Sequence, residues 1–129
     1  MSDLISIADM VSLKHLYLDD NQVYDLTPLA NLANLEFLVL SNNQISDLIP
    51  LADLTNLKAL FLSNNQVSDL APLAFLINLD FIDADNNQIQ CLMPLTNLAN
   101  LERLWLSENP IIDWSPVAHL QWVGGRPNP

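Results

Sequence analysis

Apolar and polar positions in this chain follow one frame that returns every 22 residues. It starts at Leu13 as LKHLYLDDNQV and comes back as LEFLVLSNNQI from Leu35, LKALFLSNNQV from Leu57, LDFIDADNNQI from Leu79 and LERLWLSENPI from Leu101. A period of that length marks a stacked repeat, in which each copy is one coil of a solenoid and none buries its apolar face alone. Within a copy, the xLxL stretch alternates apolar with variable residues, which is the period of a strand with one buried face. Stacking the copies predicts a parallel sheet of about five strands, the first near residues 14–18. Its two inward columns are Leu16, Leu38, Leu60, Ile82 and Leu104, then Leu18, Leu40, Leu62, Ala84 and Leu106.

After each strand the chain must turn, and Asn21, Asn43, Asn65, Asn87 and Asn109 all stand at that point. An amide there can pair backbone groups of adjacent coils, so these residues are expected to form a buried ladder. The return half, SDLIPLADLTN in one copy, places Pro28, Pro50, Pro72, Pro94 and Pro116 in one phase, with Asp25, Asp47, Asp69 and Asp113 just ahead. Proline in a first turn and a carboxylate at its positive end predict brief helical or 3-10 turns on the convex side. Leu29, Leu51, Leu73 and Leu95, with Leu32, Leu54, Leu76 and Leu98, then face inward. Asn34, Asn56, Asn78 and Asn100 close each turn where a left-handed residue is convenient.

The stretch NQISDLIPLADLTNLKALFLSNNQVSDLAPLAFLINL resembles the repeat of the internalin family of bacterial leucine-rich-repeat proteins. The resemblance covers nearly the whole chain. It implies an α/β fold: a right-handed leucine-rich-repeat solenoid with a parallel concave sheet that binds another protein, as surface internalins bind host receptors. The chain departs from that family in lacking an export signal, a helical N-terminal cap, an immunoglobulin-like region and a cell-wall anchor. The expected organisation is one solenoid over 1–123, with a half repeat at 1–12, repeats starting at 13, 35, 57, 79 and 101, and a tail at 124–129. At the ends, Leu4, Ile7 and Met10 match the convex columns, and Trp114 and Trp122 are expected to cover the last coil. The first strand is then an open edge, which suggests a homodimer through the uncapped ends or the concave face.

Composition narrows the function classes. Half of the 129 residues are hydrophobic, enough for a continuous core without disulfides or cofactor. Fifteen acidic against four basic residues give a net charge of -11, which repels phosphate backbones and anionic lipid, so neither nucleic acid nor membrane is an expected partner. The N-terminus has no basic region followed by an apolar run, and the chain reads as cytoplasmic by default. The single cysteine, Cys91, has no histidine in phase to activate it; His15 and His119 fall on opposite faces of the coil; the only glycines, Gly124 and Gly125, exclude a phosphate loop. No catalytic residue, cofactor or metal site is expected.

Binding is therefore the expected function, and the variable outward columns are where it can sit. One reads His15, Phe37, Ala59, Phe81, Arg103; the other reads Tyr17, Val39, Phe61, Asp83, Trp105. Aromatic residues on one sheet face are the composition of a protein-binding hot spot. Tyr17, Phe37, Phe61, Phe81 and Trp105 are the expected anchors for a protein partner, with Asp83 and Arg103 tuning specificity, because outward positions of a solenoid should gain little packing within the chain. The fourth copy also gathers Asp80, Asp83 and Asp85, either a weak cation pocket or a solvated edge. The alternative reading is a structural repeat fragment or engineered scaffold with no partner of its own.

Overall fold

The computed structural model describes residues 3–127, so residues 1, 2, 128 and 129, at the two ends of the expected solenoid and tail, lie outside it. Six strands form one parallel sheet in sequence order: β1 His15–Tyr17, β2 Phe37–Val39, β3 Ala59–Phe61, β4 Phe81–Asp83, β5 Arg103–Trp105 and β6 Trp122–Gly124. Six one-turn 3-10 helices alternate with them: η1 Ile5–Ile7, η2 Thr27–Leu29, η3 Ile49–Leu51, η4 Ala71–Leu73, η5 Met93–Leu95 and η6 Ser115–Val117. Each residue of β1 to β4 pairs with the one 22 positions on, as in His15 with Phe37 and Leu60 with Ile82.

The core fills the space between sheet and turns. Leu38, Leu60 and Leu104 in one inward column and Leu40, Leu62 and Ala84 in the other are wholly buried, as are Leu29, Leu51 and Leu73 from the convex side. Each such leucine contributes about 1.5 to 3 kcal/mol by leaving water. Two more columns belong to this core: Val23, Ile45, Val67 and Ile89, then Leu26, Leu48, Leu70 and Leu92. Only at the edge does burial fall off, where Leu16 and Leu13 are partly covered.

Polar ladders fix the coil spacing. Asn65 donates from Nδ2 to the carbonyls of Leu40 (2.9 Å) and Leu62 (3.0 Å), and its Oδ1 accepts the N–H of Ile45 at 3.0 Å. Asn43 and Asn87 repeat this arrangement one coil away on either side, and Asn109 one coil further. The expected ladder is present and buried through its middle rungs.

Left-handed residues do not fall at Asn34, Asn56, Asn78 and Asn100 as expected. Positive φ occurs at Asp20, Asn42, Asn64, Asn86 and Glu108, one position before each ladder asparagine. There the amides form a second, exposed ladder, in which Asn64 donates to Asn42 and Asn86 to Asn64, both at 2.6 Å. Asn34, Asn56, Asn78 and Asn100 instead reach back one coil to the carbonyls of Val11, Ala33, Thr55 and Ile77 at 2.8 to 2.9 Å.

All of these 3-10 turns but η5 are started by a carboxylate two residues ahead. Asp25, Asp47, Asp69 and Asp113 accept the N–H of Thr27, Ile49, Ala71 and Ser115 at 2.8 to 2.9 Å, satisfying a donor that the turn leaves unpaired. Hydrogen bonds from Thr27 hold Asp25 below the ordinary carboxylate range, and those from Ser115 do the same for Asp113. In the fourth copy the free and exposed Cys91 stands in that place. Restoring the acceptor with Cys91→Asp is expected to stabilise the chain by about 0.5 to 1 kcal/mol, a rise of a few degrees in melting temperature by calorimetry.

The sheet runs one strand further than the repeat frame predicts. Arg103 pairs with Trp122, only 19 residues on, so the last coil is short and Gly124, assigned to the tail, ends β6. Trp114 packs against the core as a cap would. Trp122 does not, being 57% exposed in the outward column beside Arg103.

Candidate functional site

On the concave face, β1 to β6 set outward side chains at a spacing of about 4.8 Å, close enough for rings to meet between strands. They do so from β1 to β5. Phe37 lies 5.9 Å from His15 and 5.8 Å from Tyr17, then 5.3 Å from Phe61; Phe61 lies 4.9 Å from Phe81, and Phe81 6.1 Å from Trp105. The run crosses between the two columns at each strand, and Ala59, in register between Phe37 and Phe81, supplies the small residue beside Phe61. Tilted and edge-on ring pairs of this kind each add about 0.5 to 1.5 kcal/mol beyond burial.

This packing corrects the expectation that outward residues gain little from their own chain. Phe81 is only 8% exposed: Phe61 and Trp105 flank its ring, and the Arg103 guanidinium stands 4.9 Å over it. It supports the face and is not a free anchor. Tyr17 is exposed, and Phe37, Phe61 and Trp105 are partly buried, so these four present some ring surface to solvent. Arg103 is exposed, and its guanidinium lies over the Phe81 ring of the neighbouring strand.

Two contributors were not marked by the frame. Trp122 continues the first outward column, and Gly124 continues the second. A Cβ on Gly124 would lie 2.6 Å from Trp105 Cε3, so the indole lies where only glycine leaves room for it. The short last coil hid both residues; a search allowing a deletion of three residues would have aligned them.

Asp83 is the one carboxylate in the aromatic columns. It sits in register between Phe61 and Trp105, half-buried, and its Oδ1 accepts the Asp85 N–H at 3.2 Å. Burial pushes its carboxyl above the ordinary range; the Asp85 N–H opposes this and the Asp85 charge adds to it. Folding therefore binds the proton more tightly than the unfolded chain does, and the stability this confers is present at low pH and lost as pH rises through the raised value. Asp83→Asn is accordingly expected to be more stable than the parent at pH 7, with the gap closing as pH falls below the ordinary carboxylate range. Parallel thermal melts across pH measure it.

Among the described residues no group of three or more His, Cys, Asp or Glu is placed to hold a metal ion, so Asp80, Asp83 and Asp85 do not make a cation pocket. A hollow of 310 Å³ at the last coil joins His119 to Glu102 and Trp122, with no hydroxyl or thiol nucleophile in its lining. Cys91 lies in a convex groove with Met93 and Ile112, where no histidine lines the wall. No helix among the described residues is long and apolar enough to cross a membrane.

The family described as Leucine Rich repeats (2 copies) matches residues 11–53 and 33–75, together about half of the chain. Internalin C2 of Listeria monocytogenes is 46% identical with a TM-score of 0.92, over 95% of this chain and 54% of that one. A second Listeria monocytogenes internalin, inlF, is 35% identical with a TM-score of 0.91, over 95% of this chain and 37% of its own. A leucine-rich-repeat protein of Leptospira interrogans is 34% identical with a TM-score of 0.80, over 86% of this chain and 29% of its own. The chain thus spans about half the length, or less, of these structures. No curated protein matches the sequence.

Proposed function

Because this chain belongs to the leucine-rich-repeat family, in its internalin-like form, we propose that it is a non-catalytic interaction module whose concave aromatic face holds a partner protein. The observation that carries this reading is the unbroken run of ring contacts from Tyr17 to Trp105, which leaves part of the aromatic surface open to solvent on the concave sheet. Aromatic side chains held by their neighbours lose little freedom on binding, and hot spots are built from such residues. Tyr17, Phe37, Phe61 and Trp105 are the contact residues in this reading, and Phe81 holds them in place. The family is generally non-catalytic.

The test is capture of a partner from extracts followed by mass spectrometry, repeated with Phe61→Ala/Trp105→Ala and, separately, Tyr17→Ala. Tyr17 is 62% exposed, so its removal leaves the fold almost untouched. Both variants are expected to lose the partner while keeping the parent's far-ultraviolet spectrum. Retention of the partner by both would end the proposal.

A second reading is a structural segment of a longer repeat protein, or an engineered scaffold, with no partner of its own. It is favoured by the near-identical copies and by the fraction of the related structures that the chain spans. Further copies in the same reading frame on either side would support it.

A further inference from the structure

Resting on that reading of the concave face, we infer that the partner segment is cationic there: it carries an arginine or lysine beside an apolar residue, and the cation seats against Asp83 between Phe61 and Trp105. Four observations lead to this. Asp83 occupies a place in its column where Tyr17, Val39, Phe61 and Trp105 are all apolar or aromatic, and it is half-buried there. A carboxylate among rings breaks the local pattern, as functional positions do. Second, no cation among the described residues forms an ion pair with it. The one ion pair among the described residues joins Lys58 to Glu36 at 3.5 Å, and Arg103, the cation one strand away, stands over Phe81.

Third, the surroundings are acidic. Asp80 and Asp85 share its coil, and Glu102 and Glu108 lie on the next, within a chain of net charge -11. Such a field steers cationic segments inward and disfavours anionic ones. Fourth, the face already shows how it takes a cation, in the 4.9 Å contact of Arg103 with the Phe81 ring. A guanidinium or ammonium brought by a partner can find the same attraction on Phe61 or Trp105 and a carboxylate besides. Burial of Asp83, which disfavours its charged form, is relieved by such a counter-ion.

Random-peptide phage selection against the whole chain tests this, with amide shift mapping of one synthetic selected peptide. Selected peptides are expected to carry arginine or lysine next to an apolar residue and to shift the amides of Phe61, Asp83 and Trp105. Replacing that basic residue by norleucine should weaken binding at least about tenfold, and Asp83→Asn should weaken the basic peptide similarly while leaving the norleucine peptide unchanged. Because Asp83→Asn is expected to be at least as stable as the parent, a melt run alongside separates lost binding from lost fold. Peptides that shift the concave amides yet bind Asp83→Asn as well as the parent would overturn the cation inference and leave the interaction face standing. If no peptide is selected, or if the selected ones shift only convex amides, both fall.

Discussion

Asn65→Asp, which exchanges one amide nitrogen for oxygen, is expected to cost at least about 3 kcal/mol at neutral pH. The amide donates to the carbonyls of Leu40 and Leu62 while accepting from Ile45. An aspartate keeps the acceptor but turns a carboxylate oxygen toward two carbonyls in a place where Asn65 is buried, so two favourable contacts become repulsive and a charge is left without water. Since protonation removes that charge and gives back one donor, the variant should regain stability as pH falls. Chemical denaturation at pH 7 and near pH 4 tests both halves. A loss below 1 kcal/mol at pH 7 would mean that the ladder is not what sets the coil spacing.

Leu60→Ala is expected to cost about 3 kcal/mol or more, because it removes a wholly buried side chain at the middle of the stack and leaves a cavity between two coils. The same change at Leu16, partly covered on the edge strand, should cost distinctly less. The comparison measures how far stability is a sum of interfaces between neighbouring coils. Equal losses at the two positions would contradict that picture. Both follow from equilibrium denaturation of single variants.

Much of this architecture was legible in the sequence, because side-chain alternation and a constant period leave one way to bury the leucines. The inward columns from Leu38 to Leu104, the ladder from Asn43 to Asn109 and the starts of the turns at Pro28 to Pro116 were all readable. The left-handed position was misplaced because asparagine serves two different ends here. At Asn42 and Asn64 it tolerates positive φ, whereas at Asn34 and Asn56 its amide spans coils, and composition does not separate the two. The sixth strand was hidden by the loss of three residues between Arg103 and Trp122, which shifts the chain out of frame at a coil that also lacks the LxL signature.

At the concave face the sequence indicated which residues point outward but not their depth. Whether Phe81 projects or is covered depends on how the rings of Phe61 and Trp105 lean across strands, and that is set by sheet twist and by the room left at Ala59 and Gly124. The periodic pattern carries neither quantity. Asp83 was visible as an oddity; only its register between two rings makes its burial, and hence its unmet charge, apparent.

Because β1 to β5 pair at a constant separation of 22 residues, the entropy of closing each coil is the same small loop cost, met afresh at every step and never growing with chain length. Contact order stays low for a protein made of parallel strands, a class that ordinarily folds slowly. Nucleation can begin at any pair of adjacent coils and spread both ways, and it is favoured in the middle, where Asn43, Asn65 and Asn87 are buried on both sides. The two end coils, at β1 and before β6, then join late, so the ends of the face that carry Tyr17 and Trp105 are completed after its middle.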